Sequence, residues 1–298
     1  MKKLNNIIVL TMFTYLLISC DSRPSQKEIQ LDDKQNQTIA NYEKGKLFII
    51  GGGKRPVKLI QELITTSGLD KENYAVILPM ASKEPDSAIF YAAKQFTDLE
   101  IDPQKIKGYP YKSGYKSIEW SKIIKNAGLI YITGGDQKRF MDAVINTPLY
   151  DAIHDAFQNG ATIAGTSAGA AIMGKKMITG NEYKHSEYTG DFKTIEADNI
   201  EIAEGVGLLK NVIVDQHFIK RMRMNRLMAV AIEHPEHLAI GIDESTAILI
   251  QNKKARVIGV SQVILLRNSN HSFKENNGLL GAHKMQIDIM LPGDTFNL

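Results

Sequence analysis

The chain has 298 residues, of which 43% are hydrophobic and 23% charged, ordinary globular proportions that exclude a disordered or collagen-like chain. Its one cysteine, Cys20, excludes an intramolecular disulfide and a zinc site built mainly on thiolates. The net charge of +3 falls to +1 (34 basic against 33 acidic) once Lys2 and Lys3 of the leader are set aside, so no global charge signal points to nucleic acid.

Met1-Lys2-Lys3 is a basic start, residues 4–18 are mostly apolar, and Ser19-Cys20 closes the run. The apolar stretch falls short of the roughly 20 residues of a membrane span. Leu17-Ile18-Ser19-Cys20 resembles a bacterial lipobox, in which the cysteine is acylated and becomes the new N-terminus. The expectation is therefore a signal peptide over 1–19 and a polar, lipid-anchored linker over 20–45. Residues 46–298 then form the body of an exported protein held to a membrane, on its periplasmic or cell-surface side, through Cys20. A plain secretory signal or an uncleaved anchor is the competing reading.

From residue 46 the pattern alternates. Residues 46–50 read as a buried strand running into Gly51-Gly52-Gly53, and Pro56 opens a helix over 57–66. Strands follow at 74–78, 105–108, 129–133 and 161–164, with helices over 86–99, 118–126 and 149–158 between them. Residues 211–214 and 238–242 read as strands around a helix over 218–232, and 247–266 as two or three hairpin-linked strands. Continuous apolar strands alternating with helices predict an α/β fold, a doubly wound and mostly parallel sheet with a C-terminal antiparallel hairpin extension. Sites in such sheets form at the carboxyl ends of strands. Glycine-rich or polar turns at 51–53, 134–137, 165–169, 215–217 and 243–244 all fall on that edge.

Gly165-Thr166-Ser167-Ala168-Gly169 fits the G-x-S-x-G elbow that presents a serine nucleophile between an apolar strand and a helix. A glycine-serine helix cap is the plainer reading of the same residues. A serine nucleophile needs a base and an orienting acid. Among the seven histidines, His217 directly follows an apolar strand in Asp215-Gln216-His217-Phe218, and Glu244 follows the next one in Gly241-Ile242-Asp243-Glu244-Ser245. The chain order serine, histidine, acid counts against an ordinary α/β-hydrolase, unless Asp243 or Glu244 works with His271 or His283.

The combination of Ile50-Gly51-Gly52-Gly53, Thr133-Gly134-Gly135-Asp136-Gln137, the 165–170 elbow, Asp215-Gln216-His217-Phe218 with its arginines, and Gly241-Ile242-Asp243-Glu244-Ser245-Thr246-Ala247 spans about residues 46–266. In it the chain resembles the cyanophycinases, serine peptidases related to the aspartyl dipeptidases called peptidase E. The resemblance implies a flavodoxin-like sheet, as in class I glutamine amidotransferases but with serine for cysteine. It implies Ser167 as nucleophile, His217 as base and Glu244 as acid, with oxyanion donors on Ala168 and the Gly135-Asp136 turn. It places Gln137, Asp215, Gln216, Arg221, Arg223 and Arg226 in the substrate pocket, where arginines would hold carboxylates and Asp215 a substrate guanidinium. The implied substrate is cyanophycin or a related peptide of β-aspartyl-arginine units.

Residues 175–200 depart from the family pattern, and 182–187 read as a lid or pocket-shaping loop. Two other functions stand beside the exopeptidase: a peptidase E-like α-aspartyl dipeptidase, and a non-catalytic lipoprotein that binds Asp-Arg peptides. Proline in place of the third glycine weakens a dinucleotide-binding reading of 51–56. No His/Asp/Glu grouping has metal spacing, so no cofactor or metal is expected. The expected partners are a peptide and a membrane, without nucleic acid, and the sequence leaves homodimerisation open.

Overall fold

The computed structural model describes residues 45–111, 118–185, 187 and 192–298. Cys20, the expected leader and the expected linker up to residue 44 lie outside these residues, and Gly45, its last residue, is buried. β1 (Lys46–Ile50), α1 (Val57–Ser67), β2 (Ala75–Leu78), α2 (Pro85–Thr97), β3 (Ile106–Gly108), α3 (Ile118–Lys125) and β4 (Leu129–Ile132) follow the predicted alternation. Then come α4 (Gln137–Val144), α5 (Pro148–Gln158), β5 (Thr162–Thr166), the short α6 (Ala168–Ala171), β6 (Lys176–Glu182), β7 (Ile200–Glu204), β8 (Val212–Gln216), α7 (Met224–Glu233) and β9 (Leu238–Ile242). The chain closes with β10 (Thr246–Gln251), β11 (Lys254–Gly259), β12 (Val263–Arg267), β13 (Lys274–Asn276), β14 (Leu279–Gly281), β15 (Gln286–Met290) and β16 (Thr295–Asn297).

Among the described residues the main sheet runs β16-β11-β10-β1-β5-β4-β2-β3. The five strands from β1 to β3 are parallel, and β10, β11 and β16 extend the sheet antiparallel. Alternate side chains of each central strand face opposite layers. Leu47, Ile49, Val76, Ile130 and Ile132 pack with Ile124 of α3, Phe140 of α4 and Ile153 of α5. Phe48, Ile50, Ile77, Leu129 and Tyr131 pack with Leu59 and Leu63 of α1 and Phe96 of α2. With both faces covered, the strands are apolar throughout rather than alternating.

β8 and β9 are parallel to one another as predicted, but they lie in a second sheet of order β15-β12-β9-β8. This sheet shares a core with α7 through Ile213, Phe218, Leu227, Val230 and Ile264. The predicted helix over 218–232 begins only at Met224, because His217 and Met222 both take positive φ (50° each) and 218–223 are turns. Arg221 and Arg223 therefore lie in the turns ahead of α7, and Arg226 lies within the helix. α4 has no counterpart among the predicted elements. Its start is fixed by the Asp136 carboxylate, which accepts the Arg139 N–H at 3.1 Å, the bond of an N-cap. Of the expected loop over 182–187, Glu182 ends β6, which pairs antiparallel with β7, and residues 183–185 and 187 follow it without strand or helix. No helix among the described residues is long and apolar enough to cross a membrane.

Candidate active site

Register brings the functional edges together. Ile50 pairs with Thr166 at the carboxyl ends of β1 and β5, and Gln216 pairs with Ile242 at the ends of β8 and β9. Ser167, His217 and Glu244 each lie one or two residues beyond those strand ends. The glycine run after β1 joins the three. The carbonyls of Ile50, Gly51 and Gly52 accept, in order, the N–H groups of Ser167 (3.1 Å), His217 (2.7 Å) and Ser245 (2.9 Å). This close approach requires glycine. A Cβ on Gly51 would lie 2.2 Å from the Asp243 carbonyl oxygen, one on Gly52 2.3 Å from the His217 ring, and one on Gly53 2.7 Å from the Glu244 side chain.

Ser167 sits at φ 53°, ψ −113°, outside the conformations a serine ordinarily adopts. A Cβ on Gly165 would come 2.1 Å from the Gly169 carbonyl oxygen, and one on Gly169 2.5 Å from that of Ile132. Both glycines of the elbow are thus required by packing, and the plain helix-cap reading fails, since Ser167 makes no side-chain capping bond. Instead its hydroxyl lies 2.8 Å from His217 Nε2. His217 Nδ1 lies 2.6 Å from Glu244 Oε1. An ionised carboxylate only accepts, so the Nδ1 carries the hydrogen and donates it to Glu244, leaving Nε2 to accept from Ser167. Burial pushes the His217 pKa below the ordinary histidine value, with the charges of Arg221 and Arg223 acting the same way and Glu244 opposing. The imidazole is therefore neutral near pH 7, the form a general base needs.

Asp243, the alternative acid, is engaged elsewhere. Its carboxylate accepts the Lys220 N–H (2.9 Å) and the Ser261 hydroxyl (2.7 Å). Of the expected oxyanion donors, the Asp136 N–H is already bonded to the Ala81 carbonyl at 2.9 Å. Asp136 is thereby removed from the oxyanion set, because this bond closes the turn before α4. The N–H groups of Ala168, at the start of α6, and of Gly135 have no partner among the described residues. A Cβ at Gly135, where φ is 141°, would strike the Ala81 carbonyl at 2.1 Å, so the turn is shaped by its missing side chain.

Ser167 opens onto a cleft of about 230 Å³ lined by Gln137, Gln216, Arg221, Arg223 and Arg226. Asp215, expected to receive a substrate guanidinium, is instead fully buried behind the wall. Its carboxylate takes Arg226 in a two-pronged ion pair, with Nε at 2.6 Å and Nη2 on the other oxygen, and Arg223 lies 3.6 Å away. Arg226 is itself 1% exposed, lies 4.5 Å over the Phe192 ring, and has no hydrogen-bond partner for Nη1 among the described residues. Arg223 donates to the backbone oxygen (2.6 Å) and side-chain oxygen (2.9 Å) of Gln216. Gln137 holds the neighbouring strand, its amide donating to the carbonyls of Ile178 (2.8 Å) and Thr179 (2.7 Å). Of the six predicted pocket residues, five line the cleft, and among them Arg221 is the one exposed to solvent.

Three lining residues fall outside the predicted set: Thr179, Gly180 and Asn181 of β6. Behind them stands Glu201 of β7, which accepts the Thr179 hydroxyl, the Asn181 amide (2.8 Å) and Lys138 of α4 (3.1 Å). The hydrogen bonds and the cation hold the Glu201 pKa below the usual carboxylate value, Thr179 first among them. The alternation of Ile200-Glu201-Ile202 is a readable strand signal, but its partner strand and its ion pair are not readable. Among the described residues no group of three or more His, Cys, Asp or Glu is placed to hold a metal.

The profile of peptidase family S51 matches residues 47–258. A cyanophycinase of a Nostoc species is 30% identical over 288 residues, covering 93% of each chain. A peptidase E of Actinobacillus pleuropneumoniae serotype 5b is 26% identical over 183 residues, covering 59% of this chain and 66% of that one. The crystal structure of a peptidase from an acI-B1 Actinobacterium superposes with a TM-score of 0.63 at 22% identity, over 87% of this chain and 98% of that one, which shows a shared fold.

Proposed function

The chain belongs to peptidase family S51 and is a serine-type peptidase, and we propose that it hydrolyses cyanophycin or related β-aspartyl-arginine peptides through Ser167, His217 and Glu244. The observation that carries the catalytic part is the hydrogen-bonded line from Ser167 through His217 to Glu244, at 2.8 and 2.6 Å, on a strained elbow. In this reading Ser167 Oγ attacks the aspartyl carbonyl while His217 Nε2 takes its proton. Glu244 holds the ring and balances the imidazolium. The N–H groups of Ala168 and Gly135 receive the oxyanion. His217 then protonates the leaving amine, and water, deprotonated by the same ring, frees Ser167.

The substrate part is supported by the cyanophycinase relatives and by the guanidinium wall of Arg221, Arg223 and Arg226, which suits a peptide carrying carboxylates. The test is product analysis with cyanophycin, β-Asp-Arg peptides and α-aspartyl dipeptides, beside Ser167→Ala. Release of β-Asp-Arg dipeptide from polymer, lost in the variant, is the expected result. A second reading, an α-aspartyl dipeptidase, is favoured by the small size of the cleft, about 230 Å³; hydrolysis of only the short α-aspartyl peptides would select it. Binding without turnover would select a non-catalytic binder.

Export is a separate part of the proposal. It rests on the leader pattern ending at Cys20. The expected result is membrane fractionation and incorporation of labelled fatty acid, both abolished by Cys20→Ala. Retention of label in the variant would refute it.

A further inference from the structure

The catalytic cleft, at about 230 Å³, is smaller than the roughly 300–1,000 Å³ of sites that enclose a ligand. It is not closed off. Across Asp136 and Asn181, which line both spaces, it meets a groove of about 540 Å³ along α4, walled by Tyr111, Lys138, Arg139, Asp142 and Ala143. A peptide with its scissile bond at Ser167 and longer than one unit has this groove as a continuation.

The charges of the groove are not equivalent. Lys138 is held by Glu201 at 3.1 Å. Arg139 donates to the Ala81 carbonyl at 2.9 Å and sits 3.9 Å from the Asp136 carboxylate, which is itself the cap of α4. The exposed Asp142 differs: its carboxylate makes no hydrogen bond or ion pair among the described residues, and faces the groove one helical turn beyond Lys138. Lys138 and Arg139 are thus engaged by Glu201 and by Ala81 and Asp136, while Asp142, which acts on Lys138 through its charge alone, is the groove carboxylate left without a hydrogen bond among the described residues. Tyr111 supplies an aromatic wall to the same space, a surface on which a guanidinium plane stacks favourably.

We infer that the groove along α4 is a second substrate subsite, which takes the guanidinium of the unit next to the one at Ser167, with Asp142 as its carboxylate partner and Tyr111 as its wall. This deepens the peptidase reading above and rests on it for the position of the bound chain. It gives an acidic partner to a substrate arginine in place of Asp215, which is buried under Arg226.

The test is binding in a Ser167→Ala background, where nothing is cleaved. The probes are a peptide of two β-Asp-Arg units and versions in which each arginine in turn is replaced by citrulline, its neutral isostere. Citrulline at one of the two positions is expected to weaken binding about fivefold, as for a partly solvated ion pair. In Ser167→Ala/Asp142→Asn that loss should shrink below twofold, while the thermal midpoint stays unchanged because Asp142 is exposed. Equal losses in both proteins, no loss in either, or no binding of the two-unit peptide would overturn the inference. Turnover of the same peptide by protein with Ser167 intact reads the catalytic proposal separately, so failure of one is not failure of the other.

Discussion

Gly52→Ala isolates the geometry of the candidate base. The added Cβ would lie 2.3 Å from His217 Cε1 and 2.5 Å from Nε2, where ordinary contacts begin at 3.4 Å. The ring must retreat by about 1 Å, enough to break a 2.8 Å hydrogen bond to Ser167, and displacements of that size cost on the order of 10²-fold in rate. Gly52 also has φ 108°, so alanine there carries backbone strain of about 1–3 kcal/mol whatever its neighbours. Gly293→Ala separates the two effects, since Gly293 has φ 100° and an added Cβ there would meet nothing within 4 Å. Both variants should lose stability in urea unfolding, Gly52→Ala at least as much as Gly293→Ala because it adds the clash to the strain, and Gly52→Ala alone should lose activity. The assay is the second-order rate of Ser167 acylation by a fluorophosphonate, which needs no assumption about substrate. A Gly52→Ala protein reacting within threefold of the parent would refute the argument that this glycine is there to admit the ring.

Asp215→Ala leaves the guanidinium of Arg226 buried without its counter-charge, so the urea unfolding free energy should fall by about 3–5 kcal/mol; a loss under about 1 kcal/mol would show that the ion pair is not a structural element. The acylation rate should fall as His217 gains a proton at acid pH. Because burial lowers its pKa, the midpoint of that limb should lie below the ordinary value of about 6.5, and a midpoint above 7 in the pH–rate profile would contradict it. Glu201→Ala frees Thr179, Asn181 and Lys138 together. Peptide KM should rise roughly tenfold with kcat nearly unchanged, an effect of about 1.4 kcal/mol on binding, whereas an equal fall in kcat would place Glu201 in the chemistry instead.

The parts of this protein that are legible in the sequence are those set by local chemistry. Uninterrupted apolar runs such as residues 47–50 and Leu129–Ile132 declare strands covered on both faces, because a parallel strand has no wet side. The elbow at Ser167 is legible because close packing requires glycine two residues to either side of it, at Gly165 and Gly169. His217 and Glu244 are legible because each closely follows an apolar strand. The tertiary structure decided what depends on partners distant in the chain. Gly51, Gly52 and Gly53 read locally as a turn; only packing shows that each admits a different segment of the site. Asp215 and Arg226 read as two pocket charges; burial makes them one ion pair. β6 became a cleft wall because Gln137 and Glu201, 41 residues before Ile178 and 22 after Thr179, hold it there. A hydrogen bond between residues so far apart in sequence leaves no periodicity to read, and its effect appears only when the fold brings donor and acceptor together.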